Sequence, residues 1–295
     1  MKKRITTCLW FNTQAEEAAN FYTSLFENSG IDAISRYGKE GFEVHGQKEG
    51  TVLTVAFQLS GTPFTALNGG PQFAMNPSIS FYVRCQSEAE VDFLWKSLLE
   101  GGSEMMPLDT YPWSAKYGWL NDRFGLSWQI AFDPQTVNAQ KITPALLFMG
   151  DQHAVAEDAI TFYTSVFPGS DVDSMLRYTA DENEREGSIK HAQFSLGNNQ
   201  FMMMGNSMQH EFEFNEAISF QVLCDTQDEI DYYWQKLSEG GSEWQCGWLK
   251  DKYGISWQVI PSILESLLTD PEKAGKVIQA FMPMKKFIIE KLLQA

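Results

Sequence analysis

The chain holds 295 residues, 43% of them hydrophobic, with a formal net charge of −16, which suits two packed domains and excludes a disordered polymer. So acidic a surface repels phosphate backbones and anionic lipid, which sets nucleic acid and membranes aside as partners. No stretch is apolar enough to span a bilayer, MKKRITTCLWF lacks the apolar core of a signal peptide, and Cys8, Cys85, Cys224 and Cys246 have neither CxxC nor zinc spacing, so a cytoplasmic protein with reduced thiols is expected.

Ile5–Phe11 is apolar and β-branched and reads as the first strand. Ala15, Ala18, Ala19, Tyr22 and Phe26 recur at helical spacing, with Thr13 as N-cap and Glu16 completing a capping box. Strands follow near Ile31–Tyr37, Thr51–Leu59 and Phe64–Asn68, which makes a βαβββ unit. A second unit opens with a strand at Ser78–Cys85. Its helix is capped by Ser87 with Glu90 three residues on, and stops at Gly101-Gly102. Strands near Glu104–Met106, Trp119–Asn121 and Leu126–Phe132 complete it. Asp122 and Gly125 turn the last hairpin, the Asp bonding its own turn and the Gly taking a positive φ.

The pattern is then written again. NFYTSLF at Asn20–Phe26 returns as TFYTSVF at Thr161–Phe167, and ISFYVRC at Ile79–Cys85 returns as ISFQVLC at Ile218–Cys224. GWLNDRFGLSWQI from Gly118 and GWLKDKYGISWQV from Gly247 agree at eight of thirteen positions. An offset of about 140 residues is too long for a solenoid unit and reads as a duplicated domain. The expected division is 1–138, 139–262 and a helical tail, 263–295, without a counterpart in the first half. The polar stretch DPQTVNAQ marks the boundary, and the extra residues PLDTYPWSAK before Tyr117 fall in a loop. In the tail, Thr269 or Asp270 caps a helix with Pro271 at its first position. Phe287, Ile288 and Leu292 form an apolar stripe that packs on the second domain or on a partner subunit.

Paired βαβββ units, the AEEAANFYTSLF helix and a closing DxxGxSWQ hairpin resemble the vicinal-oxygen-chelate superfamily of glyoxalases, bleomycin-resistance proteins and extradiol dioxygenases, and most closely its PhnB-like branch. The resemblance runs over both repeats. It implies an α+β fold of tandem glyoxalase-like domains, each a pair of βαβββ units forming a cupped mixed sheet with helices outside. Single-domain relatives are dimers, so it also implies a pseudo-dimer within one chain, with a homodimer of whole chains left open. Relatives carry the label 3-demethylubiquinone 3-methyltransferase. Methyl-donor sites usually sit at a glycine-rich strand-to-helix turn, whereas Gly69-Gly70, Gly101-Gly102 and Gly240-Gly241 lie in loops or at helix ends. In metal-dependent members, His, Glu or Gln on the first and last strands hold a divalent ion. Carried over, those positions fall on Gln129 and Gln258, on Thr7 and Pro144, on Ser78 and Ala217, and near Asn68 and Gly205 or Asn206. Neither His nor a carboxylate stands there and neutral amides are poor donors, so no metal and no cofactor is expected.

Alternation puts Trp128 under the helices and Gln129 on the concave face, with Gln258 as its counterpart. Around His191, Ala192, Phe194 and Leu196 face the helices and leave His191, Gln193 and Ser195 on the cup face. These residues share the cup with Gln258, while Thr54 and Gln58 share the other with Gln129. His191 is then the one group in either cup that titrates near neutrality. That makes it the candidate catalyst, against the commoner role of a hydrogen-bonded strand histidine. Cys246, where the first repeat has Tyr117, is either inert packing or a ligand contact. Met202, Met203 and Met204 line a core or an adaptable pocket. His45 and His210 fall in polar loops, and His153 in a short insertion. Arg36 and Arg177 end equivalent strands, where each pairs with a local carboxylate or binds an acidic ligand. Three functions stay open, in this order: a metal-free cup binding a small organic molecule; an enzyme on such a molecule, whether lyase, dioxygenase or the labelled methyltransferase; and a degenerate duplicate kept for assembly.

Overall fold

The computed structural model describes residues 5–39, 42, 46–134, 140–270 and 272–295. His45, Pro271 and most of the expected 133–140 boundary lie outside them. The first βαβββ unit is β1 (Ile5–Phe11), α1 (Ala15–Leu25), β2 (Gly30–Arg36), β3 (Val52–Leu59) and β4 (Thr62–Asn68). The second is β5 (Ile79–Cys85), α2 (Glu88–Leu99), β6 (Ser103–Tyr111), β7 (Ser114–Asn121) and β8 (Ser127–Phe132). The third is β9 (Ile142–Met149), α3 (Ala156–Val166), β10 (Asp171–Arg177), β11 (Ile189–Leu196) and β12 (Asn199–Asn206). The fourth is β13 (Ile218–Cys224), α4 (Gln227–Ser238), β14 (Ser242–Glu243), β15 (Trp248–Lys250) and β16 (Ser256–Pro261). The tail adds α5 (Leu264–Thr269), α6 (Ala274–Phe281) and α7 (Ile289–Leu293). The residues PLDTYPWSAK, expected as a loop, extend β6 and β7 into a long hairpin.

The strands form two eight-stranded mixed sheets, in the orders β14-β15-β16-β13-β1-β4-β3-β2 and β10-β11-β12-β9-β5-β8-β7-β6. Each sheet joins one unit from each repeat. β1 pairs antiparallel with β13, Cys8 opposite Ser219, and β5 pairs antiparallel with β9, Ser80 opposite Ala145. The compact units are accordingly Met75–Phe214, and Lys3–Ala74 with Asn215–Ala295. The divisions 1–138 and 139–262 mark the sequence repeat and cut across these units. The physical reason is that β1 and β9 offer near-identical edges, ITTCLWF and ITPALLF, so pattern within a repeat does not choose between them.

On the outer faces, Phe81, Val83, Trp128 and Ile130 are fully buried beside α2, and Phe220 and Trp257 are buried beside α4. Ser87 caps α2 as expected: its hydroxyl accepts from the Glu90 amide at 3.2 Å, while Glu90 accepts from the Gln86 amide at 2.8 Å. Thr13 does not cap α1. The Ala15 amide donates instead to Asn68 Oδ1 at 2.9 Å, and Asn68 Nδ2 donates to the Val52 carbonyl at 3.0 Å. The tertiary cap from β4 replaces the local one.

In the third unit Gly205 stands where β4 has Asn68, and the ring of His153 fills the space above it, donating from Nε2 to the Ile189 carbonyl at 2.8 Å. His153 is therefore a structural histidine, 5% exposed. A Cβ at Gly205 would overlap that ring. Gly205→Ala is expected to destabilise by roughly 1–3 kcal/mol, the usual range for overpacking. His153→Ala in the same chain should return part of that loss. Urea midpoints of the single and double variants check the coupling.

The tail packs on its own unit. The Cys246 and Gly247 amides donate to the Met284 and Lys285 carbonyls at 2.7 and 2.8 Å, and Phe287 is 1% exposed. Asp270 Oδ1 accepts from the Glu272 amide at 3.0 Å. Among the described residues no helix is long and apolar enough to cross a membrane.

Candidate functional site

In the unit Met75–Phe214, strand alternation lays Ser80, Tyr82 and Arg84 of β5 along the concave face. Gln129 of β8 lies beside Tyr82, Thr143 of β9 opposite it, and Met204 of β12 opposite His191 of β11. Gln129 is 2% exposed. Its Oε1 accepts from the Tyr117 hydroxyl at 2.8 Å, and its Nε2 donates to Ser80 Oγ at 2.7 Å and lies 3.7 Å from Met204 Sδ. The amide is thus engaged at both its oxygen and its nitrogen.

Arg84 lies at the same end of the cup as Gln193. Nη1 donates to Thr143 Oγ1 at 2.9 Å and to the Gln140 carbonyl at 3.1 Å, and Nη2 donates to Gln193 Oε1 at 3.3 Å. Nε is 3.4 Å from Asp133 Oδ2, an ion-pair distance, yet it makes no hydrogen bond. The guanidinium stands 5.3 Å from the centre of the Tyr82 ring. Burial pushes the Tyr82 phenol up to about 12, with Arg84 opposing, and raises Tyr117 too, so the part-exposed Tyr82 and the buried Tyr117 are neutral donors at pH 7.

His191 sits two residues from Gln193 on the same face, and no described residue hydrogen-bonds its ring. Burial, and after it the Arg84 charge, lowers its pKa below 6.5, so the imidazole is neutral at pH 7. The sign of the linkage follows. A depressed folded-state pKa means that the unfolded chain takes up this proton first, so stability is lost as pH falls through 6.5. Replacement by Gln removes that contribution. Relative to His191→Gln, the wild-type protein is expected to lose stability between pH 7 and pH 5, measured as the difference of urea midpoints.

The cup of the other unit is committed to itself. Gln258, 4% exposed, donates to Ser219 Oγ at 2.9 Å and accepts from Gln221 at 3.2 Å, and Thr65 donates to Gln221 at 3.0 Å. Cys8 joins this group. Burial raises its thiol to about 11 against bonds with Gln258 and Ser219. Thr54, at the position of His191, is hydrogen-bonded to Ser35 at 2.6 Å. Gln58 lies on the same face of β3, opposite Pro63. Trp10 contacts Phe73 and Trp248 edge-on.

The sequence candidates are therefore regrouped. His191 and Gln193 share a cup with Gln129, not with Gln258, and Thr54 and Gln58 share theirs with Gln258, because β9–β12 pair onto β5–β8 and β1–β4 onto β13–β16. Thr7 and Pro144 face outward, paired with Phe220 and Phe81, and the residues next to them that face the cup are Cys8 and, on β9, Thr143 and Ala145. Along the neighbouring strands, Ser80 and Ser219 meet the glutamines rather than Ser78 and Ala217. Asn68 points to α1. Cys246 has φ +59, and burial raises its thiol to about 11, which leaves a protonated, unreactive sulfur. Arg177 pairs with Glu157 at 2.7 Å, and Arg36 donates to the Gly50 carbonyl at 3.1 Å. Arg84, Tyr82 and Ser80 went unread in the sequence. Their signal was a strand, ISFYVRC, whose alternate residues are all polar.

The donor set does not fit a superfamily-type metal centre. Around Gln129 stand Ser80, Ala145 and Met204; around Gln258 stand Ser219 and Cys8. His191, opposite Met204, is a lone imidazole, and neither set adds a second imidazole or a carboxylate for Zn²⁺, Fe²⁺ or Ni²⁺ among the described residues. Among the described residues no three His, Cys, Asp or Glu side chains are placed to hold an ion. A surface cleft of about 230 Å³ between His153 and Ile189 lies outside both cups, and its His153 is already committed to Ile189.

The profile of the family described as 3-demethylubiquinone-9 3-methyltransferase matches residues 3–131 and again 140–260. The chain belongs to this family. A PhnB protein of Bacillus cereus, bearing the same description, is 44% identical over 44% of this chain and 100% of its own, with a TM-score of 0.41. Glyoxalase I of maize (Zea mays) is 10% identical, covers 88% of this chain and 93% of its own, and has a TM-score of 0.58. That second likeness is one of fold: both are tandem glyoxalase-like chains of mixed α+β architecture. No curated protein matches the chain. The family assignment gives the fold, and leaves the chemistry to the residues of its sheets.

Proposed function

We propose that the cup of Met75–Phe214 binds a small organic molecule without a metal. The observation that carries this reading is the unequal state of the two cups. One closes its polar groups on one another through Thr65, Gln221, Gln258 and Ser219. The other keeps the His191 ring without a described partner, beside the part-exposed Met204 and Tyr82. A polar group inside a cup is stabilised by whatever hydrogen-bonds it, and a ligand supplies that bond. Turnover is the second reading and rests on the same imidazole, which is neutral near pH 7 and able to accept a proton. Methyl transfer, as in the family description, gains no support from the glycine pairs. Gly69 lies against the Trp10 ring, and Gly101 and Gly240 end α2 and α4 with φ +75 and +76.

The test is native mass spectrometry of the untagged protein with elemental analysis after incubation with Zn²⁺, Ni²⁺, Mn²⁺ and Fe²⁺. The expected result is an organic adduct at one per chain, insensitive to chelator and lost in His191→Ala. Metal retained near one per cup, or an adduct whose occupancy follows the metal, would overturn the reading. Where a bound molecule is consumed, near-normal affinity with lost turnover in His191→Ala selects the enzyme over the binder.

A further inference from the structure

We propose that the molecule taken by this cup is an aromatic carboxylic acid, its carboxylate held between Arg84, Gln193 and His191 and its ring laid against Tyr82, Tyr117 and Met204. The inference rests on the reading just given and adds the chemical class. Its first support is charge. Arg84 is 5% exposed, and among the described residues the only acid set beside it is Asp133, half-buried and 3.4 Å from Nε. Nη1 is filled by Thr143 and the Gln140 carbonyl, whereas Nη2 meets only Gln193, at 3.3 Å, and retains a second N–H. Nε makes no hydrogen bond at all. A guanidinium so placed has donors to spare in the flat geometry that a carboxylate matches.

The second support is that the fold does not need this charge. At the positions of Arg84, His191 and Gln193 the other cup has Leu223, Thr54 and Ala56. That cup forms the same sheet from the same register without them. A buried cation that the architecture can replace by leucine is there for something that enters the cup. It is also a local positive site in a chain of net charge −16, so an anion that reaches it is held against the general field.

The third support is the wall. Tyr82 faces Arg84, and Tyr117 reaches Gln129 from β7. The long β6–β7 hairpin, which the second repeat lacks, brings Tyr111 and Trp113 edge-on to Tyr117, at 5.5 and 5.8 Å between ring centres. Trp113 is 62% exposed. A line of aromatic side chains thus runs from the solvent-exposed hairpin to the Gln129 amide, which also lies 3.7 Å from the polarisable sulfur of Met204. Flat rings are favoured on such surfaces. A phosphate dianion would call for more cation than one arginine already close to Asp133.

The experiment is isothermal titration of the full chain with 1-naphthoate and with the neutral 1-naphthamide, in wild type, Arg84→Leu and Gln193→Ala. Near-ultraviolet circular dichroism verifies the fold of each variant. Naphthoate is expected to bind once per chain and about tenfold or more tighter than naphthamide, a charge-assisted pair being stronger than its neutral equivalent by that order. Arg84→Leu should erase the preference while leaving the naphthamide affinity within a few-fold. Gln193→Ala, which copies the other cup without touching the charge, should weaken naphthoate selectively and serves if Arg84→Leu does not fold. Equal binding of acid and amide would overturn the acidic ligand and leave the cup as a binding site. Absence of binding by both compounds, with no adduct in native mass spectra, would remove the underlying reading as well.

Discussion

Residues 75–214 expressed alone are expected to fold as a monomer with one cup, whereas residues 1–138, which hold the whole first repeat, are not. β5–β8 and β9–β12 lie in the first fragment and close one sheet through the β5–β9 seam, five residue pairs long. The second fragment carries β1–β4 and β5–β8, each cut from its partner. β1 is a central strand whose residues Ile5–Leu9 are all buried, and removing β13 opens five antiparallel pairs along it. At about 1 kcal/mol net for each ladder bond, the lost seam rivals the 5–15 kcal/mol that holds a whole domain together. The exposed edge is also a template for another chain. Light scattering should give monomer mass and one urea transition for 75–214. For 1–138 it should give a dimer that pairs the two kinds of edge between copies, or an aggregate. A cooperative monomer of 1–138 would show that β1 can close on β5 within one repeat, and that the observed pairing is one of two comparable solutions.

That ambiguity explains what could be read from the sequence. The βαβββ order, the Ser87 cap and the outward Trp128 follow from periodicity and local chemistry, which each stretch carries by itself. The duplication follows from identity between stretches. The exchange of units depends on which of two near-identical edges meets β13, and ITTCLWF and ITPALLF do not differ in pattern. His191, Gln193 and Gln129 were each legible as cup-facing residues, but their meeting in one cup was not, since it is a property of the seam. Arg84 was hidden for a different reason. A charged residue near the end of a strand usually faces solvent, and its hydrogen-bond partners Thr143, Gln140 and Gln193 all come from the other repeat. Thr13 misled because a tertiary acceptor, Asn68, competes with the local cap and wins. The comparison that would have pointed inward is between repeats at their differences: Tyr82 against Gln221, and Arg84 against Leu223.

Replacing Asp122 by alanine is expected to be the most damaging single truncation in the unit Met75–Phe214. The side chain is 4% exposed and ties the turn to the core at both oxygens. Oδ1 accepts from the Phe124 amide at 2.8 Å and the Leu126 amide at 3.0 Å, and Oδ2 accepts from Trp128 Nε1 at 2.9 Å. Alanine leaves a buried indole N–H and two turn amides without acceptors. Each such orphan costs roughly 1–3 kcal/mol, so a loss of at least about 3 kcal/mol is expected. Asp122→Asn separates the two jobs. Its carbonyl still serves the turn amides, but an amide nitrogen then faces the indole N–H, so about half the loss should remain. Asp251 repeats the arrangement, with Tyr253, Ile255 and Trp257 as donors, so Asp251→Ala should cost its own unit a like amount. Urea unfolding followed by tryptophan fluorescence measures all three variants. A change below 1 kcal/mol in Asp122→Ala would mean that Gly125, with φ +86, sets the hairpin without help from the carboxylate. It would also break the link that lets one short motif fix, in a single stretch, the turn, the buried tryptophan and the glutamine that this strand presents to the cup.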